Sequence, residues 1–254
     1  MKSKFSRLDF SMAVALAAIW IFFAISAPAF LSARNLAMLS IELSITAVLA
    51  LGMFFVLVPR QIDLSVGSGV GLIGGISAVL VFFHHWPAWG AMLAGLFTAL
   101  VLWWLMGLLI VKQRVPSFII TLGGLLIFKG LFWLVIQDST VPISTGPDNI
   151  LSLLTTFYFS PRAGFVLVTG VSVALLWQKM RARKLEQNEG LPLEPPGWAF
   201  GKLAAVVGVL YLAVFILNRF RGLPLSLLIL CVVAFGVHVV SRHTRFGRYL
   251  YAIG

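Results

Sequence analysis

Long apolar runs, separated by short polar linkers, dominate this sequence. An α-helix needs about 20 apolar residues to cross the roughly 30 Å of hydrocarbon in a bilayer. Inside the bilayer a helix satisfies its own backbone hydrogen bonds, so each run predicts a helical span. The fold class expected is an all-α, polytopic transmembrane helical bundle, a single domain over residues 1–254. We predict eight spans, at residues 10–30, 41–58, 64–83, 88–111, 116–136, 163–178, 200–217 and 224–240.

The charged residues agree with this topology. Only 11% of the residues are charged, against about 25% in soluble domains, and the net charge is +11. With the N-terminus cytoplasmic, 14 of the 19 Lys and Arg lie inside, four lie outside and Lys129 lies within a span. This split follows the positive-inside rule, so the charge predicts a lipid bilayer and no nucleic acid as partner. Residues 179–199 are predicted to be a cytoplasmic loop. Its basic start is either solvated or in contact with anionic headgroups.

One segment, RQIDLSVGSGVGLIGG at residues 60–75, combines charge with many glycines. Its GVGLIG fits a dinucleotide-binding loop, but that loop needs an acidic residue about 20 positions later, and the next one is Asp138. No nucleotide cofactor is therefore predicted. Gly67, Gly71 and Gly75 share one helical face, and this spacing predicts close packing against another helix.

Packing does not explain the polar start of this segment. Asp63 is a favourable N-cap residue and Ser65 would lie in the first turn, so we predict that a helix starts at Asp63. Two alternatives remain open. At the membrane surface Asp63 is only a cap, whereas a broken or re-entrant segment near residues 59–70 would bring Asp63 into a polar path.

Two ionisable residues fall inside spans. Glu42 lies at the start of the second span, where the outer headgroups can solvate it. Lys129 lies deeper, and a charge at the bilayer centre costs about 2.5–3.5 kcal/mol, which favours a functional role or a structural ion pair over lipid exposure. Snorkelling of the lysine to an interface is the remaining alternative. The sequence lacks a P-loop, metal-ligand spacing among its four histidines, and a recognisable catalytic motif. We predict no metal, no cofactor and no enzymatic activity.

Four stretches carry a resemblance to a known family. They are LSARN at 31–35, LGMFFVLVPRQIDLSVGS at 51–68, KQRVPSFIITLGGLLIFKG at 112–130 and TRFGRYLYAIG at 244–254. They resemble the permease subunits of bacterial sugar ABC importers, in the ribose, xylose and branched-chain amino-acid permease superfamily. The resemblance implies a dimer of permease copies in the inner membrane, a periplasmic sugar-binding protein and a separate ATPase subunit. A pentose such as xylose is the expected cargo, with ribose, galactose and autoinducer-2 as alternatives.

The resemblance also implies which residues line the translocation path. The family's signature falls on Asp63, Ser65, Gly67 and Ser68. Lys129 stands where the family usually has arginine, which keeps the charge but loses a bidentate contact. Phe118 and Thr121 are further candidates, for weak contacts with sugar hydroxyls.

Family members continue well beyond the YAIG that ends this sequence. The expectation is therefore an N-terminal fragment that does not transport by itself, and a non-functional remnant is an alternative. An intramembrane enzyme or a secondary transporter that works without an ATPase is a rival from another class. A secondary transporter would take up sugar in response to an ion gradient alone.

Overall fold

The computed structural model describes residues 7–137, 139–141, 150–190 and 194–254 of the chain. Helices make up most of these residues, which confirms the predicted all-α class. Two short strands, which were not predicted, pair antiparallel with Tyr158 opposite Pro224. The described elements are α1 (Arg7–Ser26), α2 (Ala33–Leu57), α3 (Val66–Phe82), α4 (Ala88–Gln113), α5 (Ser117–Ile136), α6 (Ile150–Thr156), β1 (Tyr158–Phe159), α7 (Pro161–Asn188), α8 (Pro196–Asn218), β2 (Leu223–Pro224), α9 (Leu225–His243) and α10 (Arg245–Ile253).

The predicted count of eight spans is slightly wrong. Among the described residues, six helices are long and apolar enough to cross a membrane: α2, α4, α5, α7, α8 and α9. Two further apolar helical stretches are shorter, Ser11–Ser26 within α1 and the 17-residue α3. At 1.5 Å per residue α3 extends about 25 Å, less than the hydrocarbon thickness. The prediction counted Leu64 and Ser65 as part of a span, but the structure leaves both outside the helix.

Helix α3 is the centre of one compact unit, formed by residues 42–157 and 225–254. It packs against both α4 and α5. Leu72 of α3, Met106 of α4 and Phe128 of α5 form the buried apolar cluster where the three helices meet. Burial of such side chains contributes about 1.5–3 kcal/mol each. The position of α3 therefore fixes where the segment just before it can lie.

Glycines allow the close approach of these helices, though not all those predicted do so. A Cβ on Gly75 would lie 3.1 Å from Phe132 Cδ2 of α5, and one on Gly71 would make an ordinary 3.9 Å contact with the same atom. Gly67 is exposed and has open space beside it within the described structure. The tightest approach to α4 occurs instead at Gly69, where a Cβ would overlap the Trp103 ring. The glycines of α3 thus serve two neighbouring helices from two faces, Gly71 and Gly75 towards α5 and Gly69 towards α4.

The last two helices belong to the same unit. Thr244 caps α10, because its hydroxyl oxygen accepts a hydrogen bond from the Gly247 amide at 3.2 Å. Gly247 is buried, and a Cβ there would lie 2.6 Å from the Val240 carbonyl oxygen. The turn from α9 into α10 therefore requires glycine. Aromatic contacts then hold α10 against the end of α2, at Phe54–Tyr251 and Phe55–Phe246.

The other compact unit comprises residues 1–41 and 158–224 and contains the α7–α8 pair. Helix α7 continues to Asn188, so residues 179–188 of the predicted cytoplasmic loop are helical. Residues 191–193 of that loop lie outside the described residues. Pro196 sits in the first turn of α8, where proline's missing N–H costs nothing. The single-domain organisation and the cytoplasmic side of this loop remain predictions.

Candidate functional site

The site is built on the non-helical Pro59–Ser65 segment between α2 and α3. Pro59 lacks the N–H that would continue the helix, and the chain turns immediately after it. Arg60 adopts the left-handed conformation, with φ of 59°. The Gln61 amide donates to the Val56 carbonyl oxygen at 3.1 Å. The segment therefore leaves α2 through a hydrogen-bonded turn and enters α3 at Val66.

Asp63 holds this segment in place through three hydrogen bonds to its carboxylate. One oxygen, Oδ1, accepts from the Ser65 amide at 2.8 Å and from the Ser65 hydroxyl at 2.5 Å. The other, Oδ2, accepts from the Trp103 indole N–H of α4 at 2.8 Å. Ser65 is fully buried. Because a carboxylate is a strong acceptor, such bonds are worth more than those between neutral groups.

The predicted helix start at Asp63 is wrong by three residues, since α3 begins at Val66 and Ser65 occupies the N-cap position. The reason lies in the short Asp63 side chain. It captures the amide two residues further on, which is an Asx-turn, and this bond competes with helix formation. Asp63 thus stabilises the entry to α3 from outside the helix.

Helix α5 holds the same segment from another side. The Ser117 hydroxyl oxygen accepts from the Ile62 amide at 3.3 Å, and the Thr121 hydroxyl donates to the Ile62 carbonyl oxygen at 3.2 Å. Both backbone groups of Ile62 are therefore bound by α5. Thr121, only 3% exposed, also lies 3.3 Å from the Phe118 carbonyl oxygen. The Pro59–Ser65 segment is anchored to α4 by Trp103 and to α5 by Ser117 and Thr121.

Replacing Thr121 with valine tests the α5 anchor. The change keeps the shape of the side chain but leaves the Ile62 carbonyl oxygen without its side-chain donor. We expect the free energy of unfolding to fall by about 0.5–1.5 kcal/mol. Thr121→Ser keeps the hydroxyl and is the matched variant for hydrogen bonding. Chemical denaturation in detergent measures both variants, and a valine variant as stable as the wild type would contradict the anchor.

The structure brings together only part of the predicted path. Asp63, Ser65 and Thr121 meet at the segment, and the Ser68 hydroxyl donates to the Ser65 carbonyl oxygen at 3.0 Å. Phe118 is 48% exposed. Lys129 is exposed on α5, two helical turns beyond Thr121, and forms no ion pair with any residue that the structure describes. A structural ion pair for Lys129 is thus not found in the described part of the chain.

Two anchoring residues, Trp103 and Ser117, were missed by sequence analysis. Trp103 lies 40 positions from Asp63, within an otherwise apolar span. The residue type itself predicts a polar partner, because a buried indole N–H needs a hydrogen-bond acceptor and apolar spans offer few. Ser117 directly follows Pro116, at the start of α5. The resulting arrangement positions the Pro59–Ser65 segment, because Asp63 accepts hydrogen bonds from Ser65 within the segment and from Trp103 of α4. Within the described residues no group of three His, Cys, Asp or Glu side chains could hold a metal ion.

Six apolar membrane-length helices, with a hydrogen-bonded break before α3, define a multi-pass helical membrane protein. Residues 35–254 match the family model described as the permease component of branched-chain amino acid transport systems, and the chain belongs to this family. The chain is 36% identical over 252 residues to the xylose transport system permease protein of Haemophilus influenzae, covering 96% of this chain and 64% of that protein. The xylose permease of Escherichia coli K12 is 34% identical over 96% of this chain and 62% of its own length.

More distant likeness extends to the ribose import permease protein of Escherichia coli K12. It is 26% identical over 227 residues, which cover 89% of this chain and 52% of that protein. The chain spans less than two thirds of the length of the xylose permeases that it matches. No solved structure matches the chain at a significant level.

Proposed function

We propose that this chain is the membrane-spanning permease portion of an ABC importer, and that its cargo is a sugar, xylose in the first place. The main support for this proposal is the similarity to two xylose permeases, at 34–36% identity over 96% of the chain. The ribose permease matches less of the chain at lower identity. Family membership and the membrane-length helices agree with a transport subunit and not with an enzyme.

The proposal includes three partners. A separate ATPase subunit supplies the energy, since the chain has no P-loop of its own. A periplasmic binding protein delivers the sugar, and a second permease copy completes the membrane part. The protein would lie in the bacterial inner membrane with its N-terminus cytoplasmic, as the placement of 14 of the 19 basic residues favours.

We assign the translocation path to the exposed side of the Pro59–Ser65 segment and of the helices beside it. Asp63, Ser65 and Thr121 shape that side by fixing the segment from within. The proposed path continues past the start of α3, at Gly67 and Ser68, and past the start of α5, at Phe118. The exposed Lys129 ammonium adds a donor deeper in the membrane. A permease must release its cargo, and a surface with few strong polar groups suits that requirement.

A chimera tests the proposed function. It joins this chain to the part of the Escherichia coli xylose permease that the chain does not match, in a strain that lacks its own xylose permease. We expect radiolabelled xylose uptake at least tenfold above that of the deletion strain, lost when the ATPase subunit is deleted. Unlabelled ribose should compete less well than xylose.

Insertion is checked separately by the amount of chimera in the membrane fraction. A chimera inserted at the level of the intact permease, yet without sugar uptake, would contradict the proposed function. Uptake that persists without the ATPase would instead favour a secondary transporter. If unlabelled ribose competed efficiently and unlabelled xylose did not, the proposed cargo would change from xylose to another sugar.

A further inference from the structure

An apolar groove of about 430 Å³ runs between α7 and α8. Val173 and Leu176 line it from α7, and Phe200, Leu203 and Val207 from α8. The lining hydroxyls already have partners within the protein. Thr169 and Tyr211 are joined at 2.8 Å, and Ser172 donates to the Val168 carbonyl oxygen at 2.7 Å. The groove therefore offers an apolar surface that makes no hydrogen-bonding demand on an occupant.

Two cations, Lys179 and Arg183, lie at one end of this groove, just beyond the apolar part of α7. Lys179 follows Leu176 by three residues, on the same helical face. Arg183 lies one turn further, and its guanidinium sits 5.6 Å from the centre of the Phe200 ring that lines the groove. Both side chains are partly buried, whereas Arg181 and Lys184 on the other faces of α7 are exposed. Basic side chains that only needed contact with water would not have to be partly buried beside the groove.

The same end carries an excess of positive charge. Glu194 pairs with Lys202 of α8. That hydrogen bond, together with the charges of Lys202, Lys179 and Arg183, lowers the pKa of Glu194 below its ordinary value. Three cations thus converge on one carboxylate. Of the two other acidic residues of this region, Glu186 follows Arg183 by three residues on the same helical face and Glu189 is the C-cap of α7, so along the helix both lie beyond the two cations as seen from the groove.

Donors remain available for an anion. Arg183 uses one nitrogen, Nη1, to donate to the Glu194 carbonyl oxygen at 3.0 Å, which leaves other N–H groups of its fork. Lys179 has no hydrogen-bonded partner in the part of the chain that the structure describes. Trp177 and Trp198 flank the cations, with Arg181 5.5 Å and Lys202 5.7 Å from the respective ring centres. Tryptophan favours the level of the lipid headgroups, so this end lies at the membrane surface.

We propose that the α7–α8 pair binds an anionic phospholipid, with one acyl chain in the groove and the phosphate held by Lys179 and Arg183. Complementary charge selects this occupant, because an apolar groove that ends in excess cations at headgroup level matches a lipid with a negative headgroup. Arginine holds phosphate through its planar fork and lysine as a point charge. The inference rests on the membrane location of the chain and goes beyond the transport proposal.

The test uses the whole chain in nanodiscs that contain phosphatidylcholine with about one third phosphatidylglycerol by mole. Native mass spectrometry counts the lipids retained after release from the disc. The wild-type chain is expected to retain phosphatidylglycerol several-fold above its share in the disc. In Lys179→Gln/Arg183→Gln this preference is expected to fall at least threefold.

Two further variants test the parts of the site. One controls for the loss of net charge, and the other tests whether the groove holds the acyl chain. Arg219→Gln/Arg221→Gln removes the same net charge at the other end of α8 and should keep the preference. Ala204 also lines the groove from α8, so Ala204→Phe fills the groove without changing charge and should lower retention. Equal losses in both charge variants would overturn the site, as would no loss in either. Undiminished lipid retention in Ala204→Phe would overturn the placement of an acyl chain in the groove. Circular dichroism and a single elution peak confirm folding of each variant.

Discussion

Asp63→Asn is expected to lower the free energy of unfolding by about 1.5–3 kcal/mol, the range for hydrogen bonds to charged groups. An asparagine can still accept from Ser65 with its single oxygen. Its amide nitrogen would then face the Trp103 indole N–H, so that two donors meet where the native structure has a 2.8 Å bond. Turning the amide over would instead restore Trp103 but place the amide nitrogen against the Ser65 N–H, so that the bond from that backbone amide is lost. No rotamer of the amide satisfies all three donors.

The same change should reduce xylose uptake by the chimera more than tenfold, because a displaced Pro59–Ser65 segment alters the surface proposed for the path. Glu42→Gln is the matched control. Glu42 is an exposed carboxylate on α2 in the same compact unit, and its side chain has no partner in the described structure. We expect that control to change stability by less than about 0.5 kcal/mol. Equal effects of the two substitutions would show that Asp63 is an ordinary surface carboxylate.

A double-mutant cycle with Trp103→Phe attributes the loss to the contact itself. Phenylalanine keeps an aromatic ring against Phe128, whose centre lies 5.2 Å from the Trp103 ring, but removes the indole donor. If Asp63 and Trp103 act through their shared bond, the two single effects should be larger in sum than the effect of the double variant. Additive losses would place the role of Asp63 in the Ser65 contacts alone.

Sequence patterns predicted the helical class and nearly all the apolar helices, because hydropathy and length are local properties. They failed where a long-range partner decides the outcome. The start of α3 depends on an Asx-turn that Trp103 reinforces from 40 positions away. Likewise, the spacing of Gly67, Gly71 and Gly75 predicted one packing face, whereas α3 contacts two helices. Only the arrangement of α4 and α5 shows that Gly69 belongs to one contact and Gly75 to the other.

Gly69→Ala is expected to destabilise the chain by about 1–3 kcal/mol, the usual cost of overpacking a well-filled site. The added Cβ would overlap the tip of the Trp103 ring and lie 2.9 Å from Cζ2. The indole cannot move aside freely, since Phe128 packs against it and Asp63 holds its N–H. A methyl group on α3 should therefore also weaken the hydrogen bond that fixes the Pro59–Ser65 segment, and uptake by the chimera should fall with stability.

Gly74→Ala is the matched control, five residues later on the same helix, where the structure shows open space beside the glycine. Alanine favours helix over glycine by up to about 1 kcal/mol, so this variant should be as stable as the parent or more stable. Thermal unfolding in detergent compares the two. Because phenylalanine is smaller than tryptophan, Gly69→Ala should cost less in a Trp103→Phe background. A Gly69→Ala chain as stable as Gly74→Ala, or a cost unchanged by Trp103→Phe, would show that the indole does not limit how closely α3 and α4 approach.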